Sequence, residues 1–238
     1  MWFFDRKRKI GNEQLLGGAT DYHSHLLPAI DDGVQNLPEA LATLDTYETS
    51  GIKNLWLTPH VMEDFPNHPT RLKARFEEFM ASYHGGITLH LASEYMLDNY
   101  FFGLLEKNDL LPIGTTGNHL LVETSYYTPP MRLKESLKRI QSKGYHPLLA
   151  HPERYMYMEK EAYKELKEMG VKFQLNIISL AGVYGKATQK KAQWLLKNEM
   201  YNVAGSDMHD IDALYVINSV ALNKKEMETV RTLLNTEI

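Results

Sequence analysis

Histidine and carboxylate side chains recur in this chain at spacings that let them share metal ions. His23-Ser24-His25 repeats the imidazole with period 2, which on a strand turns both rings to one side, within reach of one cation. Asp207-Met208-His209 repeats the spacing with a carboxylate and an imidazole. His60, Glu94, Glu123 and His151 stand singly, each at the end of a short apolar run. Core packing does not account for carboxylates there, because Asp and Glu are rarely buried unless paired or metal-bound. Together these donors exceed what one ion needs and point to two or three ions sharing bridging carboxylates. Imidazole and carboxylate without thiolate suit manganese, iron or zinc. Ions grouped in this way serve hydrolysis, one ionising a bound water while its neighbours hold the electrophile and take up charge on the leaving oxygen. A phosphate ester is the expected electrophile. Arg154, three residues after His151, can meet phosphate oxygens as a bidentate fork. An ordinary ion pair with Glu153 or Glu159 is the alternative for that arginine.

The elements that must position these groups alternate along the chain. Short apolar runs at Ala19–Leu26, Ile52–Thr58, Ile87–Glu94, His119–Thr124, His146–His151, Lys172–Ile178 and Asn202–Asp207 read as seven strands. Stretches of helical periodicity lie between them. One helix has Pro38 near its start and Gly51 past its end, a second begins at Pro69-Thr70, and two more stop before Gly144 and Gly170. Strands joined by single helices make right-handed parallel units, so the chain is an α/β fold, either an open doubly wound sheet or a closed barrel. After the first strand comes Leu26-Leu27-Pro28-Ala29-Ile30-Asp31-Asp32-Gly33, with no glycine-rich phosphate loop, which argues against a nucleotide-binding open sheet. In a barrel the carboxyl ends of the strands form one face, where all of these donors would converge. His68, His84, His90, His119 and His146 fall away from that face and are expected to be solvated or packed. Tyr126-Tyr127-Thr128-Pro129-Pro130 follows Glu123 and would line the rim of the site, or simply make a turn.

Composition narrows the chemistry. The 238 residues include no cysteine, so disulfides, thiolate-held zinc or iron–sulfur centres and a thiolate nucleophile are all excluded. A formal charge of −4 and the absence of a basic stripe argue against nucleic acid as a ligand. Met1-Trp2-Phe3-Phe4 runs straight into Asp5-Arg6-Lys7-Arg8-Lys9, too short an apolar stretch for a signal core or a membrane span. A solvated terminus on a cytoplasmic protein is expected, one able at most to touch an anionic surface. Residues 1–18 read as an N-terminal extension and 19–238 as a single domain.

In order along the chain, Asp21-Tyr22-His23-Ser24-His25, Ile30-Asp31-Asp32-Gly33, Thr58-Pro59-His60, Ser93-Glu94-Tyr95, Leu121-Val122-Glu123, Ala150-His151-Pro152-Glu153-Arg154-Tyr155 and Ser206-Asp207-Met208-His209 resemble the motifs of the polymerase and histidinol phosphatase (PHP) superfamily. Within it they resemble the bacterial manganese-dependent protein-tyrosine phosphatases of capsule and exopolysaccharide synthesis. The resemblance implies a distorted (β/α)7 barrel with a trinuclear centre. One ion would take His23, His25, Glu94 and Asp207, a second Glu94, Glu123 and His151, and a third Asp32, His60 and His209. Asp32 enters only through the resemblance, since an Asp-Asp-Gly run otherwise reads as a turn. The implied activity is hydrolysis of phosphotyrosine by metal-activated hydroxide without a covalent intermediate. Arg154, Asp207 and His209 would act at the substrate, Mn2+ would be the cofactor with iron or zinc as alternatives, and the substrate would be the tail of a membrane-linked tyrosine autokinase.

Two departures bear on the substrate. The arginine that many relatives carry shortly after Asp-Met-His is absent from Asp210-Ile211-Asp212-Ala213-Leu214, and Val61-Met62-Glu63-Asp64 replaces basic residues after Thr-Pro-His. A small-molecule phosphatase such as a histidinol phosphatase, a non-catalytic phosphoprotein-binding regulator and an amidohydrolase on a similar barrel are the alternatives. The last of these typically places a carboxylated lysine where this chain has Glu94 and Glu123.

Overall fold

The computed structural model describes residues 7–238. Asp21 to Gly205 is dominated by parallel strands that alternate with helices, as the sequence pattern predicts. A three-stranded parallel sheet holds β2 (Thr20–Asp21), β3 (Asn54–Leu57) and β5 (Thr88–Leu91). A six-stranded parallel sheet holds β4 (His60–Val61), β6 (Glu94–Met96), β7 (His119–Glu123), β8 (His146–Ala150), β9 (Lys172–Asn176) and β10 (Val203–Gly205). The two are joined through the chain at Pro59 and at Ala92-Ser93, so the molecule is an α/β fold around a curled parallel sheet. A separate antiparallel pair, β1 (Arg8–Lys9) with β11 (Ala221–Leu222), ties the two ends of the described chain together.

The strands expected over Ile52–Thr58 and Ile87–Glu94 differ from those observed. Each breaks after four ladder residues and resumes in the other sheet, so His60 and Glu94 begin strands rather than end them. Pro59 has no N–H to give to a ladder, which explains the first break. The first expected strand, Ala19–Leu26, keeps ladder pairing only at Thr20–Asp21. Beyond it, Ser24 makes an isolated parallel bridge to Met208, just past β10.

The helices are α1 (Leu37–Thr49), α2 (Pro69–Ser82), α3 (Asn99–Lys107), α4 (Leu133–Ser142), α5 (Lys160–Glu168), α6 (Lys186–Lys197), α7 (Asp212–Ser219) and α8 (Lys224–Leu234). The Asn36 side chain caps α1 by accepting from Glu39 N, and Gly51 follows its end with φ 93°. α1 buries Ala40, Leu44 and Tyr47 against the sheet, each large apolar side chain contributing about 1.5–3 kcal/mol. Among the described residues no helix is long and apolar enough to cross a membrane.

Alternation along the strands divides the core in two. Leu120 and Val122 of β7 face the helices, while Leu121 joins Tyr22, Trp56, Ile113, Leu148, Ala150 and Val203 inside the curl. Ile238 packs into the same inner cluster. Of the N-terminal segment, Met1–Arg6 with its aromatic tip lies outside the described residues. Arg8 and Lys9 are exposed, and Ile10, Leu15 and Leu16 are buried in the main core.

Candidate metal centre

The inward phase of β7 runs from Leu121 to Glu123, so one pleat carries the chain from apolar interior to site. On β8 the inward residues are Leu148 and Ala150, and continued alternation would send His151 to the helix layer. Instead His151 takes a left-handed backbone, φ 33° and ψ 53°, and its Nε2 reaches Glu94 Oε1 at 2.9 Å. Asp207 is likewise left-handed at φ 53°. Such backbone is strained for residues with a Cβ and needs anchoring. The Asp207 N–H donates to His23 O at 2.8 Å, and the His151 N–H donates to Gln174 Oε1 at 3.1 Å.

Glycine makes two close approaches possible. A Cβ on Gly33 would sit 2.1 Å from His25 O, and one on Gly205 would sit 2.6 Å from His23 Cβ. The His-x-His strand therefore lies directly against both neighbours.

Eight of the expected residues form three overlapping groups whose ligand atoms lie within 4.8 Å of one another: His23, His25, Glu94 and Asp207; His60, Glu94 and Glu123; and His25, Asp32, His60 and His209. In the first, Glu94 Oε2 is 3.1 Å from His23 Nε2 and 3.4 Å from His25 Nε2, and Asp207 Oδ1 is 3.5 and 3.4 Å from the same two nitrogens. In the second, His60 Nδ1 is 3.1 Å from both Glu94 Oε2 and Glu123 Oε1. In the third, Asp32 Oδ1 is 3.5 Å from the Nε2 atoms of His60 and His209. His151, the ninth, reaches the second group through Glu94 and stands 4.0 Å from Glu123 Oε2. His60 thus faces one group with each ring nitrogen, where the resemblance implied it for Asp32 and His209 alone.

These donors fit a cluster of cations. Glu94 Oε2 and His60 Nδ1 are buried with no hydrogen bond, and so is His151 Nδ1. A buried carboxylate oxygen left in that state is costly unless a cation meets it. Charge shifts run the same way. Burial alone would raise Glu94, but His23 and His60 hold its carboxyl well below the ordinary range. Burial would lower His23, yet Glu94 and Asp207 push it up to about 9. Asp32, bonded to His209, is drawn down to about 2. Glu94 and Asp32 therefore stay ionised and demand positive charge nearby, which divalent cations would supply on displacing imidazole protons.

A second layer orients the first, and sequence reasoning missed most of it. Asp31 Oδ2 takes His25 Nδ1 at 2.8 Å and the His60 backbone N–H at 2.9 Å, leaving only His25 Nε2 for a cation. Gln174 Oε1 meets His23 Nδ1 at 3.1 Å, and Asn176 Nδ2 donates to Asp207 Oδ2 at 2.8 Å. The available signal was phase: Phe173 and Leu175 face the helices, so the two amides are polar residues on the inward side of a buried strand.

Arg154 pairs with neither Glu153 nor Glu159. Its Nη1 donates to Asp207 Oδ2 at 2.7 Å, and its guanidinium lies 4.2 Å from the ring centres of both Tyr126 and Tyr184. Burial works against its charge, and Asp207 outweighs burial, so it stays protonated. Glu153 is turned inward instead, accepting from Asn176 N and Tyr201 OH, with its carboxyl raised by burial. The remaining histidines lie elsewhere. His68 pairs with Asp109, His90 stacks on Trp56, and His119 and His146 begin their strands at the opposite end, where burial pulls His119 down to about 4.

The chain is similar to known proteins in sequence and in fold. A family model described as "Capsular polysaccharide synthesis, CpsB/CapC" matches residues 19–215. The tyrosine-protein phosphatase YwqE of Bacillus subtilis is 26% identical over 211 residues, covering 83% of each chain. The tyrosine-protein phosphatase CpsB of Streptococcus agalactiae is 27% identical over 213 residues, covering 81% of this chain and 83% of its own. A crystal structure from work on B. subtilis YwqE and Streptococcus pneumoniae CpsB, described as unique metal-dependent tyrosine phosphatases, superposes with a TM-score of 0.75 at 23% identity, over 92% of this chain and 95% of its own.

Proposed function

The chain belongs to the CpsB/CapC family of capsular polysaccharide synthesis, and from that premise we propose that it is a metal-dependent protein-tyrosine phosphatase. The observation that carries this reading is the convergence of buried His23, His25, Glu94 and Asp207 with His60, Glu123, Asp32, His151 and His209 around unpartnered carboxylate and imidazole atoms. The relatives named for this activity, B. subtilis YwqE and S. agalactiae CpsB, support it.

Divalent cations held by these residues would supply a water that ionises near neutral pH and positive charge for the leaving oxygen. We assign His23, His25, Glu94 and Asp207 to one ion, Glu94, Glu123 and His151 to a second, and Asp32, His60 and His209 to a third. Manganese is the proposed metal, and iron or zinc would meet the same donors. Arg154 binds the phosphoryl oxygens. Its plane is held between Tyr126 and Tyr184 and one N–H is committed to Asp207, so its remaining N–H groups are presented in a fixed direction. Asp207, oriented by Asn176 and bonded to that fork, and His209 are the residues we assign to the substrate. With no cysteine in the chain, hydrolysis proceeds without a thiol nucleophile.

The two sheets are read as one distorted (β/α)7 barrel of the PHP type. Bonds from Tyr22 N to Ala204 O at 3.3 Å and from His25 N to Met208 O at 2.8 Å support closure between the first and last strands. The substrate is a tyrosine-phosphorylated protein, proposed by family resemblance to be the tail of a membrane-linked autokinase reached from the cytoplasm. Nucleic acid is not proposed as a ligand.

Turnover of a phosphotyrosyl peptide and of histidinol phosphate by the manganese-loaded chain tests the reading. Preference for the peptide is expected, and a large preference for histidinol phosphate would sink it. Arg154→Ala should lower kcat/KM for the peptide about 10- to 100-fold, the worth of a lost charge-assisted hydrogen bond.

A further inference from the structure

Three loops follow the carboxyl ends of β7, β8 and β9 and meet at Arg154. Tyr126, from the first, and Tyr184, from the third, lie on the same guanidinium, and Met156 N of the second donates to Tyr126 O at 2.7 Å. Among the described residues eight large apolar side chains are exposed, and five stand on these loops: Tyr127, Met131, Met156, Val183 and Tyr184. Tyr127 and Met131 are 79% and 92% exposed, so neither contributes to the core. The three loops, residues 124–132, 151–159 and 177–185, carry four charged side chains, Arg132, Glu153, Arg154 and Glu159, of which Glu153 is buried.

The loops across the site are of opposite character. Asp32, Glu63, Asp64, Asp210 and Asp212 follow the first, second and last strands, and all five are exposed. One side of the opening is therefore largely apolar, with Arg132 and Arg154 as its cations, and the other is acidic. Exposed apolar side chains gathered on loops that meet at one opening offer a contact surface.

We propose that the loops after β7, β8 and β9 are a docking surface for the chain segment flanking the phosphotyrosine, and that they select apolar side chains there. The inference rests on the phosphatase reading above and deepens it. A phosphoryl group held at Arg154 brings the residues on either side of its tyrosine over these loops, since an extended chain advances about 3.3 Å per residue. Tyr127, Met131 and Val183 offer those residues apolar contact, which an acidic flank cannot use. The exposed carboxylates of Glu63, Asp64, Asp210 and Asp212 repel such a flank as well.

The test uses the full manganese-loaded chain, para-nitrophenyl phosphate, and three phosphotyrosyl peptides flanked by Leu and Phe, by Ser and Gly, or by Asp and Glu. The wild type should favour the apolar-flanked peptide over the Ser/Gly peptide at least tenfold in kcat/KM, mainly through KM, with the acidic peptide poorest. The variant Tyr127→Ser/Met131→Ser/Val183→Ser should lose that preference while hydrolysing para-nitrophenyl phosphate within twofold of wild type. Tyr127→Ser alone repeats the comparison with a smaller perturbation and should lose part of the preference. Equal turnover of the three peptides by wild type, or an undiminished preference in the triple variant, would overturn the proposal. Failure to hydrolyse any of these aryl phosphates would overturn the phosphatase reading, and the docking surface with it.

Discussion

Metal-ligand chemistry leaves a legible mark at the level of single residues, because few roles other than coordination put His, Asp and Glu at the ends of buried strands. His23, His25, His60, Glu94, Glu123, His151, Asp207 and His209 stand out on that ground, and Asp32 does not, since Asp31-Asp32-Gly33 has the composition of any turn. The residues that aim the donors are harder to see. Asp31, adjacent to Asp32, turns away from it to fix His25 and the backbone of His60. Gln174 and Asn176 could belong to any strand until its inward side is known. Arg154 stood between a phosphate role and a surface ion pair, and only three-dimensional contact with Asp207, Tyr126 and Tyr184 decides against Glu153 and Glu159 as partners. Because Asp31 holds His25 with Nε2 toward the other donors, Asp31→Ala should weaken manganese affinity about 10- to 100-fold with the fold intact. Metal titration followed by calorimetry measures this, and wild-type affinity in the variant would show that His25 needs no such support.

Strand-and-helix alternation was readable from periodicity, since apolar runs and Pro/Gly punctuation are local properties. The breaks at Pro59 and at Ala92-Ser93 were not, because which sheet a segment joins depends on the curl of the whole set of strands. Their consequence is functional, as restarting a strand at His60 and at Glu94 places both residues at the first rung of β4 and β6, paired with each other in register. The seam between β10 and the His-x-His segment is equally tight. A methyl on Gly205 would meet His23 Cβ at 2.6 Å and the His23 backbone nitrogen at 2.8 Å. Gly205→Ala should therefore destabilise the chain by about 1–3 kcal/mol and reduce bound metal, because His23 must move. Thermal melting and metal content read both effects, and a variant unchanged in both would mean that the seam yields without disturbing the site.

Taken whole, the molecule gathers most of its buried histidines and carboxylates in one place. Asp207, Glu94, Glu123 and four buried histidines, with half-buried His209 beside them, lie together at one end of the curled sheet, above an apolar interior of Tyr22, Trp56, Leu121, Leu148 and Val203. The surface beside that cluster carries the apolar loops and Arg154. The account as a whole stands on cations being held there and being needed for hydrolysis, and it can be tested directly by counting bound metal before and after chelation while following phosphotyrosyl-peptide turnover. The predicted result is two or three ions per chain, loss of turnover on chelation, recovery with Mn2+, and indifference to a thiol alkylator, since the chain has no cysteine. Fewer than two ions per chain together with turnover that survives chelation would contradict it.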